Sequence, residues 1–241
     1  MFFNQFKTRS NEEEIMDDLD MTGEELEEAL VALDRINWWL GGNQVLLSGL
    51  KKILKANPTF QNQTLRIADV GCGGGDGLRS IANWAKRQGI EVELIGIDAN
   101  EFTLDYARQR SQQFKNITYL QADILDKNFS YQNFDIVLCG LFLHHFTDDQ
   151  QEMWVKKCWK DGVKVLLIND LHRHWLAYVL FQLICFVFRA SHMVQNDGSL
   201  SIKKGFIQSE FKQLQQRTNT TKATIQWKWA FRWQVIFYGE R

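Results

Sequence analysis

The chain has 241 residues, 45% of them hydrophobic and 24% charged, with 28 basic and 29 acidic side chains. This length can bury a sizeable core in one α/β domain, and the near-neutral balance excludes a globally basic nucleic-acid binder and a disordered polyanion. The balance conceals an asymmetry: Asn11 to Asp34 holds eleven acids and no base, so this stretch is expected either to lie against a basic body or to form a solvated helix face. Cys72, Cys139, Cys158 and Cys185 form no CxxC or Cys/His cluster. That pattern points to free thiols, a reducing cytoplasm and no metal site. Asn4, Gln5 and Lys7 interrupt the start, so no secretory leader is expected. The longest apolar run, from Trp175 to Phe188, falls short of the ~20 residues a spanning helix needs.

In chain order, Ser10 with Glu13 and Thr22 with Glu25 read as capping boxes that open helices. Leu26, Leu30, Leu33, Ile36 and Leu40 then keep a helical apolar stripe, which Gly41 and Gly42 stop. A second amphipathic helix is predicted over 45–55, closed by Asn57 and Pro58. Residues 1–58 thus form a helical extension, and 59–241 the main domain. From Leu65 the pattern alternates: β-rich runs at 65–70, 92–98, 117–121, 134–141 and 163–171 are separated by helical periods at 76–88, 102–114 and 149–159. Strand and helix in series predict an α/β fold with a doubly wound, mostly parallel sheet. An apolar helical insertion follows at about 172–217. It contains a helix through Phe188, a polar loop at 196–201 and a helix over 206–216. The alternating runs 225–229 and 233–238 predict a closing antiparallel hairpin, for seven strands in all.

The informative stretch is Asp69-Val70-Gly71-Cys72-Gly73-Gly74-Gly75-Asp76, between a strand and a helix. A phosphate loop needs a Gly-Lys pair, which the chain lacks, and a dinucleotide fingerprint would need glycine where Asp76 stands. An acid just before the turn suits a ligand carrying a cation, such as an ammonium or sulfonium. Asp98 ends the next strand, where a carboxylate can accept both ribose hydroxyls, and Asp123 follows the third, placed to accept an adenine amino group.

These residues, with 134–137 reading Phe-Asp-Ile-Val, resemble the class I S-adenosylmethionine-dependent methyltransferases over residues 60–171. The resemblance implies S-adenosylmethionine as cofactor. By it, Asp69, Gly71 and Gly73 hold the methionine part, Asp98 the ribose, and Asp123 with Ile124 the adenine. Ala99 lies under the nucleoside, while Cys139 and Gly140 contribute backbone. The family often has Pro-Gly-Gly before the fifth strand, where this chain has Lys160-Asp161-Gly162.

The fourth strand leads into Leu143-His144-His145-Phe146, placing two histidines at the catalytic edge, with Asp170 after the fifth strand. Histidine suits a general base near neutral pH, and small-molecule O-methyltransferases that this chain resembles carry this pattern. Either histidine is a candidate catalytic residue, and packing alone is the competing reading. The sole proline, Pro58, is far from this strand, so the proline motifs of nucleobase methyltransferases are missing. No nucleic-acid partner is expected. The apolar insertion reads first as a buried core helix, and the sharper reading is that it lines the site of a small hydrophobic acceptor such as an alkylated phenol or quinone. Around Ile36–Asn43 the aromatics and glycines read as a cofactor lid or as core. The sequence leaves open O- or C-methylation, a non-catalytic cofactor-binding subunit, a membrane-surface contact, and monomer or homodimer.

Overall fold

The computed structural model describes residues 2–239. Seven strands form one sheet: β1 Leu65–Val70, β2 Val92–Asp98, β3 Ile117–Gln121, β4 Ile136–Gly140, β5 Val165–Leu171, β6 Lys222–Lys228 and β7 Arg232–Tyr238. Their order is β3-β2-β1-β4-β5-β7-β6. The first five run parallel, while β7 joins β5 antiparallel and pairs with β6 as a hairpin. The expected doubly wound sheet with its closing hairpin is therefore present.

Side-chain alternation along each strand builds two cores. Leu65, Ile67, Leu138 and Leu167 face α2 (Gly42–Ala56) and α3 (Asp76–Gln88). Ala68, Val70, Val137 and Ile168 face α5 (Asp148–Lys160) and α8 (Gln208–Arg217). Both faces of the central strands are covered, so they read as continuous apolar runs rather than polar–apolar alternation. A third cluster joins α1 (Glu24–Trp39), α6 (Trp175–Phe188) and α7 (His192–Lys204) through Ala29, Phe181, Cys185 and Met193. The crossover helix between β2 and β3, α4, spans Glu101–Arg110. Among the described residues no helix is long and apolar enough to cross a membrane.

The structure departs from the sequence expectations at four places. Ser10 opens no helix: its N–H bonds to the Lys203 carbonyl at 3.2 Å, which holds the segment against α7. Helix α1 starts at Glu24 with Gly23 at its N-cap, and no Thr22 side chain caps it. The predicted loop at 196–201 is the middle of α7. Its Asn, Asp, Gly and Ser suggest a turn, but Asp197 accepts the Ile15 and Met16 N–H groups, both at 2.9 Å, and so finds its partners inside a helix. Helix α6 is not a core helix. Ala177, Phe181 and Cys185 are buried at helical spacing, whereas Phe186 is 81% exposed beside exposed Val187 and Phe188. It lies at the rim with one side packed, and exposed Trp39 meets Phe188 with ring centroids 6.2 Å apart.

The core prediction concerns Leu138, fully buried at the sheet centre. Leu138→Ala should cost ~2–5 kcal/mol in urea unfolding through lost transfer energy and the cavity left behind. A loss below about 1 kcal/mol would show a core loose enough to collapse around the gap.

Candidate active site

The carboxyl ends of the parallel strands share one edge, and the turn after β1 shapes it. Gly71 and Gly73 take φ of 63° and 50°, the left-handed region where other residues are strained. A side chain at Gly71 would meet the Phe142 ring at 2.2 Å, so glycine there lets the aromatic close over the turn. Nothing lies within 4 Å of a Cβ built at Gly73, whose backbone faces open space. Both glycines line a large cavity along this edge.

Two buried carboxylates flank the turn. Asp69 is 5% exposed, and burial, with repulsion from Asp76 and Asp98, pushes its pKa up to about 7. Asp98 is raised by burial, against which the backbone N–H groups of Asn100 and Gly73 work at 3.1 and 3.0 Å. Ala99 and Gly140 line the cavity, and Cys139 is fully buried in the core. Asp123 is exposed at the cavity wall, its Oδ1 accepting the Leu125 N–H at 2.8 Å. Ile124 packs into the sheet core, and Leu125 is its cavity-lining neighbour.

Further along the edge lies a second pole. His144 Nδ1 is 2.7 Å from Asp170 Oδ1, and the His144 N–H reaches Asp170 Oδ2 at 3.2 Å. Burial alone would raise the fully buried Asp170, but His144 and the hydrogen bonds hold it below its ordinary value. This contact leaves His144 Nε2 forward, with no hydrogen-bond partner among the described residues. His145 Nδ1 lies 2.7 Å from Asp17 Oδ1.

The acidic N-terminal segment covers both histidines, a role that its composition did not reveal. Glu14 places Oε1 3.7 Å from His144 Nε2 and Oε2 3.9 Å from His145 Nε2. Lys204 Nζ sits 3.3 Å from Glu14 and 3.2 Å from Asp17. Burial raises Glu14, while His145 and Lys204 oppose the rise. Arg9 clamps the segment by donating to the His144 and Phe146 carbonyls, both at 2.8 Å. Eleven acids without an intervening base were visible in the sequence, but nothing marked Glu14 and Asp17 as the two that turn inward. Glu14, His144 and His145 each offer a ligand atom within 4.8 Å of the others. The Lys204 ammonium supplies positive charge beside Glu14.

The cavity of about 1820 Å³ runs from Asp98 and Asp123 past the histidines to Leu171 and Phe231. Leu180, Leu183 and Ile184 of α6 give it an apolar wall. Ligand pockets commonly measure ~300–1,000 Å³, so two molecules have room side by side.

Residues 67–160 match the model of a methyltransferase domain family. The chain shares its fold with solved methyltransferases. A 2-phytyl-1,4-naphtoquinone methyltransferase of Thermosynechococcus vestitus is 35% identical over 85 residues, 35% of this chain and 36% of the relative. A protein of the same name from a Nostoc species is 30% identical over 109 residues, 44% of this chain and 46% of its own length. The chain thus spans less than half the length of these relatives. Among solved structures, the plantazolicin methyltransferase BpumL, in complex with SAH, superposes with a TM-score of 0.61 at 17% identity, covering 90% of this chain and 96% of its own. The DszA carbon methyltransferase gives 0.60 at 14% identity, covering 82% and 53%.

Asp69 yields a signed prediction. Its folded pKa lies above the unfolded value, so it stabilises the unliganded fold at acid pH, and that contribution is lost as pH rises from about 4 to about 7. Asp69→Asn should therefore raise the melting temperature of the unliganded protein at pH 8 and change it little at pH 4. Equal shifts at both pH values would remove the charge explanation.

Proposed function

We propose that the protein transfers a methyl group from S-adenosylmethionine to the oxygen of a small hydrophobic acceptor of the phenol class. The observation that carries this reading is one continuous cavity with Asp98 at one pole, where Asp69 lies buried behind the glycine turn, and a carboxylate-backed histidine beside an apolar wall at the other.

The residues at the first pole fit the donor. Asp69 is buried without a counter-cation and suits its ammonium. Asp98, oriented by two backbone N–H groups, suits the ribose hydroxyls. Gly73 leaves its backbone open to the methionine part, and Asp123 with Leu125 forms the adenine end, supported from the core by Ile124. When bound, this donor supplies an electrophilic methyl group on a sulfonium. The protein's share is largely to hold the acceptor in line and exclude water. At the second pole Asp170 fixes His144 with Nδ1–H donated, so that Nε2 can take the phenol proton. Glu14 faces Nε2 and shares the proton's destination. Residues 1–58 close over the site, and the wall from α6 selects an apolar acceptor.

A second reading is favoured by names among the relatives. The quinone methyltransferases, and a sterol 24-C-methyltransferase from Clavispora lusitaniae 25% identical over 79 residues, favour a carbon acceptor, here a quinone-type ring. Incubation with a ¹³C-methyl donor and a panel of phenols and quinols distinguishes the two, because a methyl ether and a ring methyl resonate apart. Oxygen transfer is expected. Ring methylation alone would overturn the first reading, and no turnover with any acceptor would leave a cofactor-binding subunit.

For the base, His144→Ala should lower turnover ~10²–10⁴-fold while donor affinity survives. If His144→Ala and His145→Ala both keep full activity, neither histidine moves the proton.

A further inference from the structure

Arg232 opens β7 opposite Leu171, which brings it to the same sheet edge as Asp170. Its side chain is 2% exposed and lines the cavity. The guanidinium packs so close to Gly42 that a Cβ there would stand 3.1 Å from Arg232 Cζ, and Asn37 Oδ1 crowds the same point. Among the described residues, Arg232 Nε and Nη1 have no hydrogen-bond partner, and neither has Asn37 Oδ1. Asp170 and Asp76 attract the guanidinium only at longer range, and burial lowers its pKa to about 10.

Buried Arg173 and half-buried Arg9 show what the fold does with this group when it serves structure. Arg173 pairs with Glu210 at 2.7 Å and donates to the Phe6 carbonyl at 3.1 Å. Arg9 holds two carbonyls and Asp148. A guanidinium removed from water without such partners is costly, and a fold that keeps one in a cavity gains nothing from it until an anion arrives.

We propose that Arg232 is a ligand-binding residue that receives an anionic oxygen, carboxylate or phenolate, of a molecule bound in the cavity. The guanidinium holds five N–H donors in a fixed plane that matches such oxygens, and those on Nε and Nη1 are uncommitted. Two sources share this chemistry: the amino-acid carboxylate of the donor, and an ionised oxygen of the acceptor lying toward Asp170. The inference rests on the cavity being the methyl-transfer site, but its donor arm needs no turnover.

The experiment compares the wild type with Arg232→Met and Arg232→Lys. Melting of the unliganded protein is measured first. Arg232→Met should melt at the same temperature or higher, because an unpaired buried charge is replaced by an apolar chain of similar length. Calorimetry with S-adenosylhomocysteine and with 5′-methylthioadenosine, which lacks the amino-acid part, forms the donor arm. The KM for an acidic phenol against its uncharged analogue forms the acceptor arm. A loss of about tenfold or more in Arg232→Met, partly restored in Arg232→Lys, is expected in one arm. Weaker S-adenosylhomocysteine binding with unchanged methylthioadenosine binding assigns the donor carboxylate. A raised KM confined to the acidic phenol assigns the acceptor. The proposal is overturned if Arg232→Met lowers the melting temperature while both arms hold, or if both nucleosides lose affinity equally. If no acceptor turns over yet the donor arm responds, the methyl-transfer reading fails and the Arg232 site stands.

Discussion

The parallel strands end along one edge, and the charges buried there must be answered by neighbours or by ligands. Asp170 is answered by His144, and Glu14 and Asp17 by Lys204. Asp69 and Arg232 are answered by nothing at close range. The first carries a proton more readily than a free aspartate, and the second is an arginine without an anion. Desolvation makes both costly, so the empty edge is less stable than it could be and is poised to gain from a molecule with charges in the matching order. The glycine turn, the cover of Glu14 and the wall from α6 all follow from keeping that edge dry.

Much of the architecture was legible because it rests on local signals. Strand alternation, the glycine turn at 71–75 and the spacing to Asp98 and Asp123 predicted β1, β2, β3 and α3 to the residue. The pairing of His144 with Asp170 was open to inference because one follows β4 and the other lies at the carboxyl end of neighbouring β5. What the sequence concealed was set by contacts between distant segments. Glu14 became a site residue because Asp197 and Arg9 pin its segment over the histidines, and no periodicity announces this. The same contact turned an apparent loop into α7. The helix α6 was misjudged for the opposite reason: uniform apolarity implies burial only if some partner covers every side, and here one side has none.

The matched family segment ends at residue 160. It includes the glycine turn, Asp98, Asp123 and both histidines. It excludes Glu14, Asp170, Arg232 and the whole of α6. The common half of the edge thus lies in the sheet. The half that distinguishes this chain comes from its helical extension, the insertion after β5 and the final hairpin.

The strap over the histidines is tied by residues nearly two hundred positions apart: the Ser10 N–H to the Lys203 carbonyl, Ile15 and Met16 to Asp197, Ser201 to Glu14. Closing so long a loop carries an entropic cost that only a finished surface at α7 can offset. The segment around Glu14 therefore docks only once residues nearly two hundred positions later have folded. The molecule can own a complete sheet, and a formed glycine turn, before it owns a sealed reaction chamber.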